Sequence, residues 1–505
     1  MTSPTPVRAV SRAALSGAAL CAVSLLLVPL AGCGGAAGGD SATGGATPAA
    51  KEPAVPGESR PPEAGEGTKD PDDVNGDGHR DLLVPVSAGT GDQAAADQRV
   101  AVVYGSAKGL DPATRTVYGR RDLGLPASPG EHGRDSLAAG DVLTADLDGD
   151  GFPDFVSSVG GTTKTDGRVH ASRAFPRVTW GGPEGPQAQG EATAIPLPQD
   201  VAALGMTSLV RGDFDGDGHH DLAGIAQNGL AGVPHNESTR PVVLYGPFTR
   251  AGAPARTDAG LPYADGTLVA DAIDPSGEPR ATSLLVQGPS DGEQSQNTLY
   301  RAREGSPLTA RGEELRAGSA HAFGDFDGDG VRDVAIGDDG GRNNEPGYES
   351  EAPDVDGSLA VYPGKGGAPV THRLPEPPKG RSTDYGPGGF VTADPDGDGR
   401  DAILVATYEG ATLIEGDRRT PVLREGPEVS GGEKTSAKWR HARPAAAADF
   451  DGDGKDELVL HWAADTSFGL YGEHPTHWWI TEGTTARDQS AFSTVGLAKG
   501  TEGAR

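Results

Sequence analysis

The stretch Asp146-Leu147-Asp148-Gly149-Asp150-Gly151-Phe152-Pro153-Asp154 decides the fold. Counted from Asp146, its acids stand at offsets 0, 2, 4 and 8. Alternate acids in a tight turn aim several carboxylates at one point. The intervening glycines permit the backbone angles that such a turn needs. The same pattern recurs at Asp73, Asn75, Asp77, Asp81; at Asp213, Asp215, Asp217, Asp221; and at Asp325, Asp327, Asp329, Asp333. A further copy, Asp394, Asp396, Asp398, Asp401, reads as one residue short, with its last acid at offset 7. The copy Asp449, Asp451, Asp453 ends in Asp456-Glu457, and either acid can close it; Glu457 stands at offset 8. Near Ala272-Ile273-Asp274-Pro275-Ser276-Gly277 the frame survives but most of the acids do not.

This donor set suits calcium, which takes six to eight oxygens at about 2.3–2.6 Å in a flexible shell. Magnesium prefers six-fold geometry and holds its waters. Transition metals favour His or Cys, which these loops do not supply as ligands. About six structural calcium sites are expected. An EF-hand is excluded by context, because it closes on a bidentate Glu at position 12 between helices. Here the loops run into short β-type segments such as Leu222-Ala223-Gly224-Ile225, Val334-Ala335-Ile336 and Leu458-Val459-Leu460. Each loop therefore joins two strands of a hairpin.

A second element keeps phase with the first. An apolar run ending in Gly follows each loop: Val102-Val103-Tyr104-Gly105, Thr179-Trp180-Gly181, Leu244-Tyr245-Gly246, Val361-Tyr362-Pro363-Gly364 and Leu413-Ile414-Glu415-Gly416. The eroded repeat keeps its strands at Leu284-Leu285-Val286 and Thr298-Leu299-Tyr300. The loops begin at 73, 146, 213, about 272, 325, 394 and 449, a mean spacing of about 63 residues. Seven such repeats predict an all-β, seven-bladed β-propeller of four-stranded blades, with a linear solenoid as the second possibility.

These repeats resemble FG-GAP, or VCBS, repeats, the blades of the integrin α-subunit propeller. The resemblance covers about 69–505. It implies that the acids named above bind calcium within blade hairpins. It leaves activity open, because the family is functionally broad.

Composition agrees with many short strands. The 505 residues include 78 Gly and 41 Pro, with 35% hydrophobic and 5% aromatic residues. The net charge of −30 excludes a general binder of nucleic acid or anionic membrane. It suits cations, and six divalent ions would bring it to −18.

The N-terminus reads as an address. Arg8 and Arg12 precede an apolar stretch from Ala13 to Leu30, interrupted by Ser16, Gly17, Ser24 and Pro29. It ends in Leu30-Ala31-Gly32-Cys33, which resembles a lipobox, so residues 1–33 read as a lipoprotein signal peptide and Cys33 as the lipidation site. Removal of Cys21 and lipidation of Cys33 would leave no thiol for a disulfide. Residues 34–72, rich in Gly, Ala and Pro, read as a disordered linker. Residues 73–505 form the propeller. The first repeat lacks a strand before its loop, and Val495-Gly496-Leu497-Ala498-Lys499-Gly500 is the segment expected to supply it and latch the ring.

Several motifs carry weaker signals. Gly288-Pro289-Ser290-Asp291-Gly292 matches a nucleophile elbow, but strand rather than helix follows it. Arg211-Gly212-Asp213 spells an adhesion tripeptide whose Asp belongs to a loop, and Asn236-Glu237-Ser238 is a sequon. Trp439, Trp462, Trp478 and Trp479, with His441, His461, His474 and His477, read as blade packing or as an aromatic ligand surface.

The functional expectation is a calcium-binding module, lipid-anchored on the outer face of a bacterial cytoplasmic membrane. It would be a monomer, holding a protein or polysaccharide ligand and no nucleic acid. The alternative is an exported lyase or hydrolase acting on carbohydrate, for which the sequence offers no recognisable catalytic set.

Overall fold

The computed structural model describes residues 53–497, apart from 88–97, 128–135, 166–167, 228–238, 263–265, 290–293, 342–354, 356, 377–387, 431, 464–474 and 486. Residues 1–33 with Cys21 and Cys33, residues 34–52, the sequon at Asn236, Ser290, His474 and residues 498–505 lie outside that set.

Seven antiparallel sheets follow one another along the chain, each built as a meander. Blade 1 contains β1 (Leu82–Ser87), β2 (Gln98–Val103) and β3 (Arg115–Tyr118). Blade 2 contains β4 (Val142–Ala145), β5 (Asp154–Thr165), β6 (Arg168–Thr179) and β7 (Thr193–Ala194). Blade 3 contains β8 (Met206–Gly212), β9 (Asp221–Ala226), β10 (Arg240–Tyr245) and β11 (Arg256–Asp258). Blade 4 runs through β12 (Thr267–Ala270), β13 (Leu284–Gln287), β14 (Asn297–Tyr300) and β15 (Glu313–Leu315). Blade 5 runs through β16 (Ala320–Gly324), β17 (Asp333–Gly337), β18 (Ser358–Tyr362) and β19 (Val370–Arg373). Blade 6 has β20 (Phe390–Ala393), β21 (Ala402–Thr407), β22 (Gly410–Glu415) and β23 (Arg418–Val422). A two-stranded hairpin, β24 (Val429–Ser430) and β25 (Glu433–Lys434), precedes blade 7. Blade 7 comprises β26 (Arg443–Ala448), β27 (Glu457–Trp462), β28 (His477–Thr481) and β29 (Asp488–Ser493). This is a seven-bladed all-β propeller, with one four-residue α-helix (Gln199–Ala202) among the described residues. No described helix is long and apolar enough to cross a membrane.

The second strands of blades 3, 5 and 6, β9, β17 and β21, are buried along their whole length, because both of their faces meet a neighbouring blade. Apolar clusters fill the seams between blades. One unites Leu82, Val84 and Val86 of blade 1 with Val459, Trp478 and Phe492 of blade 7 and so closes the ring. The first strands of blades 2, 3, 4 and 7 surround a central cavity of about 510 Å³, lined by Leu82, Val142, Leu209, Val210, Ala270 and Phe450 among others.

Two expectations need correction. Blade 1 has three strands among the described residues, and the C-terminal residues Thr494–Leu497 form a turn after β29 instead of pairing with β1. Leu497 is buried in the seam between blades 7 and 1, which fixes that turn in place. Pro85, within β1, has no N–H to give a further strand.

The second correction concerns the linker, of which residues 53–72 are ordered against the propeller. Ala54 accepts from the Ser493 N–H on the outer strand of blade 7, at 2.9 Å. Arg60 exchanges bonds with Ala113 and Arg115 of blade 1. Gly65, Gly67 and Thr68 then donate to the carbonyls of Asn75, Gly76 and Gly151. A Cβ on Gly65 would meet the Gly76 carbonyl oxygen at 1.9 Å, so this approach requires glycine. The strap ends where Asp70 pairs with Arg80 (2.6 Å) and Asp72 with Arg211 (2.6 Å). A segment without apolar periodicity is ordered here because loop carbonyls and arginines satisfy it.

Candidate metal centres

Each loop folds on its own acids. The offset-0 carboxylate accepts the N–H of offset 4 on one oxygen and of offset 5 on the other. For Asp146 the donors are Asp150 and Gly151, both at 3.0 Å. Asp73, Asp213, Asp325, Asp394 and Asp449 repeat the pattern. The offset-4 acids Asp77, Asp150, Asp217, Asp329, Asp398 and Asp453 each accept the N–H two residues on. The turn demands a positive φ at offset 3, +73° at Gly149 and +71° at Gly216, which glycine supplies without strain.

The offset-8 acid explains the second repeated element. Asp221 accepts the Phe214 N–H on one oxygen and the Gly246 N–H on the other, both at 2.7 Å. Asp81, Asp154 and Asp333 do the same with Gly105, Gly181 and Gly364. One buried carboxylate thus ties the loop to the end of the third strand.

Register settles the two irregular copies. Ala393 pairs with Ala402 as Gly324 pairs with Asp333 and Ala448 with Glu457. Offset 8 of the blade 6 loop is therefore Ala402, and the expectation that Asp401 closes a shortened loop is corrected. The Asp401 carboxylate turns to blade 5, where it accepts the Asp325 N–H and pairs with Arg332 at 2.9 Å. Asp456 likewise reaches Asp394 of blade 6, which leaves Glu457 to accept from Phe450 at 3.0 Å. In the eroded loop Gly277 has φ +78° and donates to the Asp274 carbonyl, as Gly216 donates to Asp213. Asp274 therefore holds offset 0 there.

The carboxylates converge. Ligand oxygens lie within 4.8 Å of one another in Asp146, Asp148 and Asp154; in Asp213, Asp215 and Asp221; and in Asp325, Asp327 and Asp333. The same holds for Asp394, Asp396 and Asp398, and for Asp449, Asp451 and Asp453. These clusters could hold a metal ion. In loop 1 Asn75 takes offset 2 and bonds Asp77 and the Glu63 carbonyl through its amide nitrogen.

Two further observations fit a cation to these loops. Three offset-2 oxygens, Asn75 Oδ1, Asp148 Oδ1 and Asp215 Oδ1, are buried without a hydrogen-bond partner. A buried acceptor left unpaired is costly, and a bound ion would satisfy it. Charge points the same way. Burial pushes Asp154 and Asp221 up to about 8 and Glu457 to about 7, and neighbouring loop acids add to the rise. The N–H donors only partly offset this at these three carboxylates, which a cation would favour in their ionised form.

The weaker motifs resolve as packing. Asp213 is buried in its loop and Arg211 is engaged by Asp72, so the tripeptide is internal. Gly288 donates to Gln296 across the β13–β14 turn. Trp462, Trp478 and Trp479 are buried between blades, with His461 edge-on to Trp478 at 5.3 Å, so the ligand-surface reading of these rings is set aside. Sequence reasoning missed Arg250, Arg256 and Arg280, which reach loop carboxylates. Their only sequence signal is a basic residue near a strand turn.

No protein-family model matches the chain, and no curated protein matches it. Similar solved structures include BBS1N in complex with ARL6DN, at 11% identity and TM-score 0.36, covering 84% of this chain and 95% of that one. The V. cholerae biofilm matrix protein Bap1 is similar at 12% identity and TM-score 0.28, covering 88% of this chain and 96% of that one. Likeness at this level carries no functional argument.

Proposed function

We propose that this chain is a surface-anchored, calcium-stabilised propeller of the FG-GAP type that holds a protein or polysaccharide ligand. The observation that carries the calcium reading is the set of buried, unpartnered offset-2 oxygens, each beside other carboxylates. Hard oxygen donors in a flexible loop are calcium chemistry. The ion's role is structural, because the acids at offsets 0, 4 and 8 also organise backbone N–H groups of their own blade. Anchoring rests on Cys33 and the lipobox-like Leu30-Ala31-Gly32 before it.

The binding reading is preferred to a carbohydrate-active enzyme by the character of the channel. Its described lining is mostly aliphatic, and Asp72, Arg80 and Arg211 at its mouth are engaged in ion pairs. A thermal melt in calcium, in magnesium and in EDTA tests the metal assignment. Calcium should raise the melting temperature and magnesium should not replace it. Equal melts in all three would overturn the assignment.

A further inference from the structure

Resting on the calcium reading, we propose that two kinds of cation hold the ring: arginines of the chain itself in blades 2 to 4, and metal in blades 6, 7 and 1. In loop 2 the Arg250 guanidinium contacts both Asp148 and Asp150. In loop 3 Arg256 pairs with Asp215 at 2.9 Å. In the eroded loop 4 Arg280 donates to Asp271 at 3.2 Å and to the Ala272 carbonyl at 2.7 Å, with Asp274 at 3.8 Å. Asp271 is buried and also takes Arg332 from blade 5.

The other loops differ. Loop 5 has the single ammonium of Lys365, 3.2 Å from Asp329. Loop 7 has a neutral donor, Gln489 Nε2, 2.9 Å from Asp451. Among the described residues no Lys or Arg pairs with the acids of loop 1 or with Asp394, Asp396 and Asp398 of loop 6.

Arg250 and Arg256 each have a second resting place. The Arg250 guanidinium lies over the Trp180 ring at 5.0 Å, and that of Arg256 lies over Tyr245 at 3.7 Å. Each sits between an aromatic face and a carboxylate, so an arriving divalent ion displaces it onto a ring that attracts cations. Asp148 Oδ1 and Asp215 Oδ1 have no hydrogen-bond partner even with the arginines in place, which leaves these loops competent for metal. Loop 4 is not, because Ser276 and Thr282 stand where the other loops carry acids at offsets 2 and 8, and Arg280 supplies the positive charge. Calcium therefore enters loops 6, 7 and 1 first, loops 2 and 3 last, and loop 4 not at all.

Amide hydrogen exchange of the EDTA-treated full chain, read by mass spectrometry along a calcium titration, tests this. In EDTA the loops of blades 2 to 4 should be more protected than those of blades 6, 7 and 1. Calcium should protect the latter at lower concentration. R250Q and R256Q should reduce protection of loops 2 and 3 in EDTA. They should also lower the calcium midpoint there by roughly two- to fivefold, the worth of a partly exposed ion pair. R250K, which keeps the charge but not the fork that reaches both carboxylates, should fall between R250Q and the parent. Equal protection of all loops in EDTA, or unmoved midpoints in the glutamine variants, would overturn the proposal. Loops that ignore calcium altogether would end the calcium reading and with it the filling order. The EDTA comparison of R250Q with R250K then decides the arginine half alone: lost protection upholds it, unchanged protection removes it.

Discussion

Asp401 and Asp325 clasp each other across the seam between blades 6 and 5. The Asp401 carboxylate accepts the Asp325 N–H at 2.7 Å, and the Asp401 N–H donates back to the Asp325 carbonyl at 3.0 Å. Asp456 and Asp394 repeat the clasp at the next seam, at 2.8 and 3.0 Å. His220 and Thr282 serve as the acceptors for the N–H groups of Asp146 and Asp213. In these four loops the opening residue is thus the one the neighbouring blade grips, so order in the loop and closure of the ring are coupled.

Replacing Asp401 separates the clasp from metal binding. D401A leaves a buried N–H and the Arg332 guanidinium short of a partner, a loss of about 1–3 kcal/mol. A urea melt should show that loss, while calorimetric calcium uptake stays at the parent count. A lost ion in D401A would restore Asp401 as a ligand.

Offsets 2 and 8 should separate in the opposite way. D221A strands the N–H groups of Phe214 and Gly246, so it should destabilise the protein in EDTA as well as in calcium, by about 2–4 kcal/mol. D396A removes an offset-2 acid that no backbone N–H or arginine among the described residues engages, and should lose one calcium ion with little change in the EDTA melt. Identical behaviour of the two variants would contradict these roles.

The metal-free protein should weaken as pH rises. Asp154 and Asp221 sit at about 8 and Glu457 at about 7, above the ordinary carboxylate range of about 4. A group whose folded value is raised contributes its stability below the unfolded value and loses it as pH climbs through the folded one. In EDTA the melting temperature should therefore fall between about pH 4 and pH 8. Saturating calcium, which favours the ionised carboxylates, should flatten that slope. A melting temperature in EDTA that rises over the same interval would contradict the charge argument.

The strap should stabilise the ring from outside it. Replacing Asp72 with Ala deprives Arg211 of its carboxylate partner and Arg80 of a nearby one, at a cost of about 1–3 kcal/mol. Residues 53–68 should resist protease until the propeller itself opens. Cleavage there at the rate of an unstructured peptide would mean the strap is not held.

Much of this was legible in the sequence, for reasons visible in single residues. Asp146 to Asp154 forms a local turn whose donors and acceptors lie within nine residues, so spacing alone displays it. The strand runs after the loops of blades 3, 5 and 6 are buried on both faces and read as largely apolar segments. Asp401 was misread because side chains alternate along a strand: offset 8 faces its own loop and offset 7 faces the preceding blade. An acid at either place looks alike until the register is known. The strap was missed because its partners, such as Asn75 and Gly151, belong to other repeats and leave no local pattern. Arg250 was invisible for the same reason, since its carboxylates lie about a hundred residues earlier.

Counting calcium ions on the folded protein tests the central claim most directly. Isothermal titration of the EDTA-treated full chain should give up to six ions bound, with a Tm that rises as they bind. A chain that stays folded in EDTA and takes up no calcium at millimolar concentration would contradict the account.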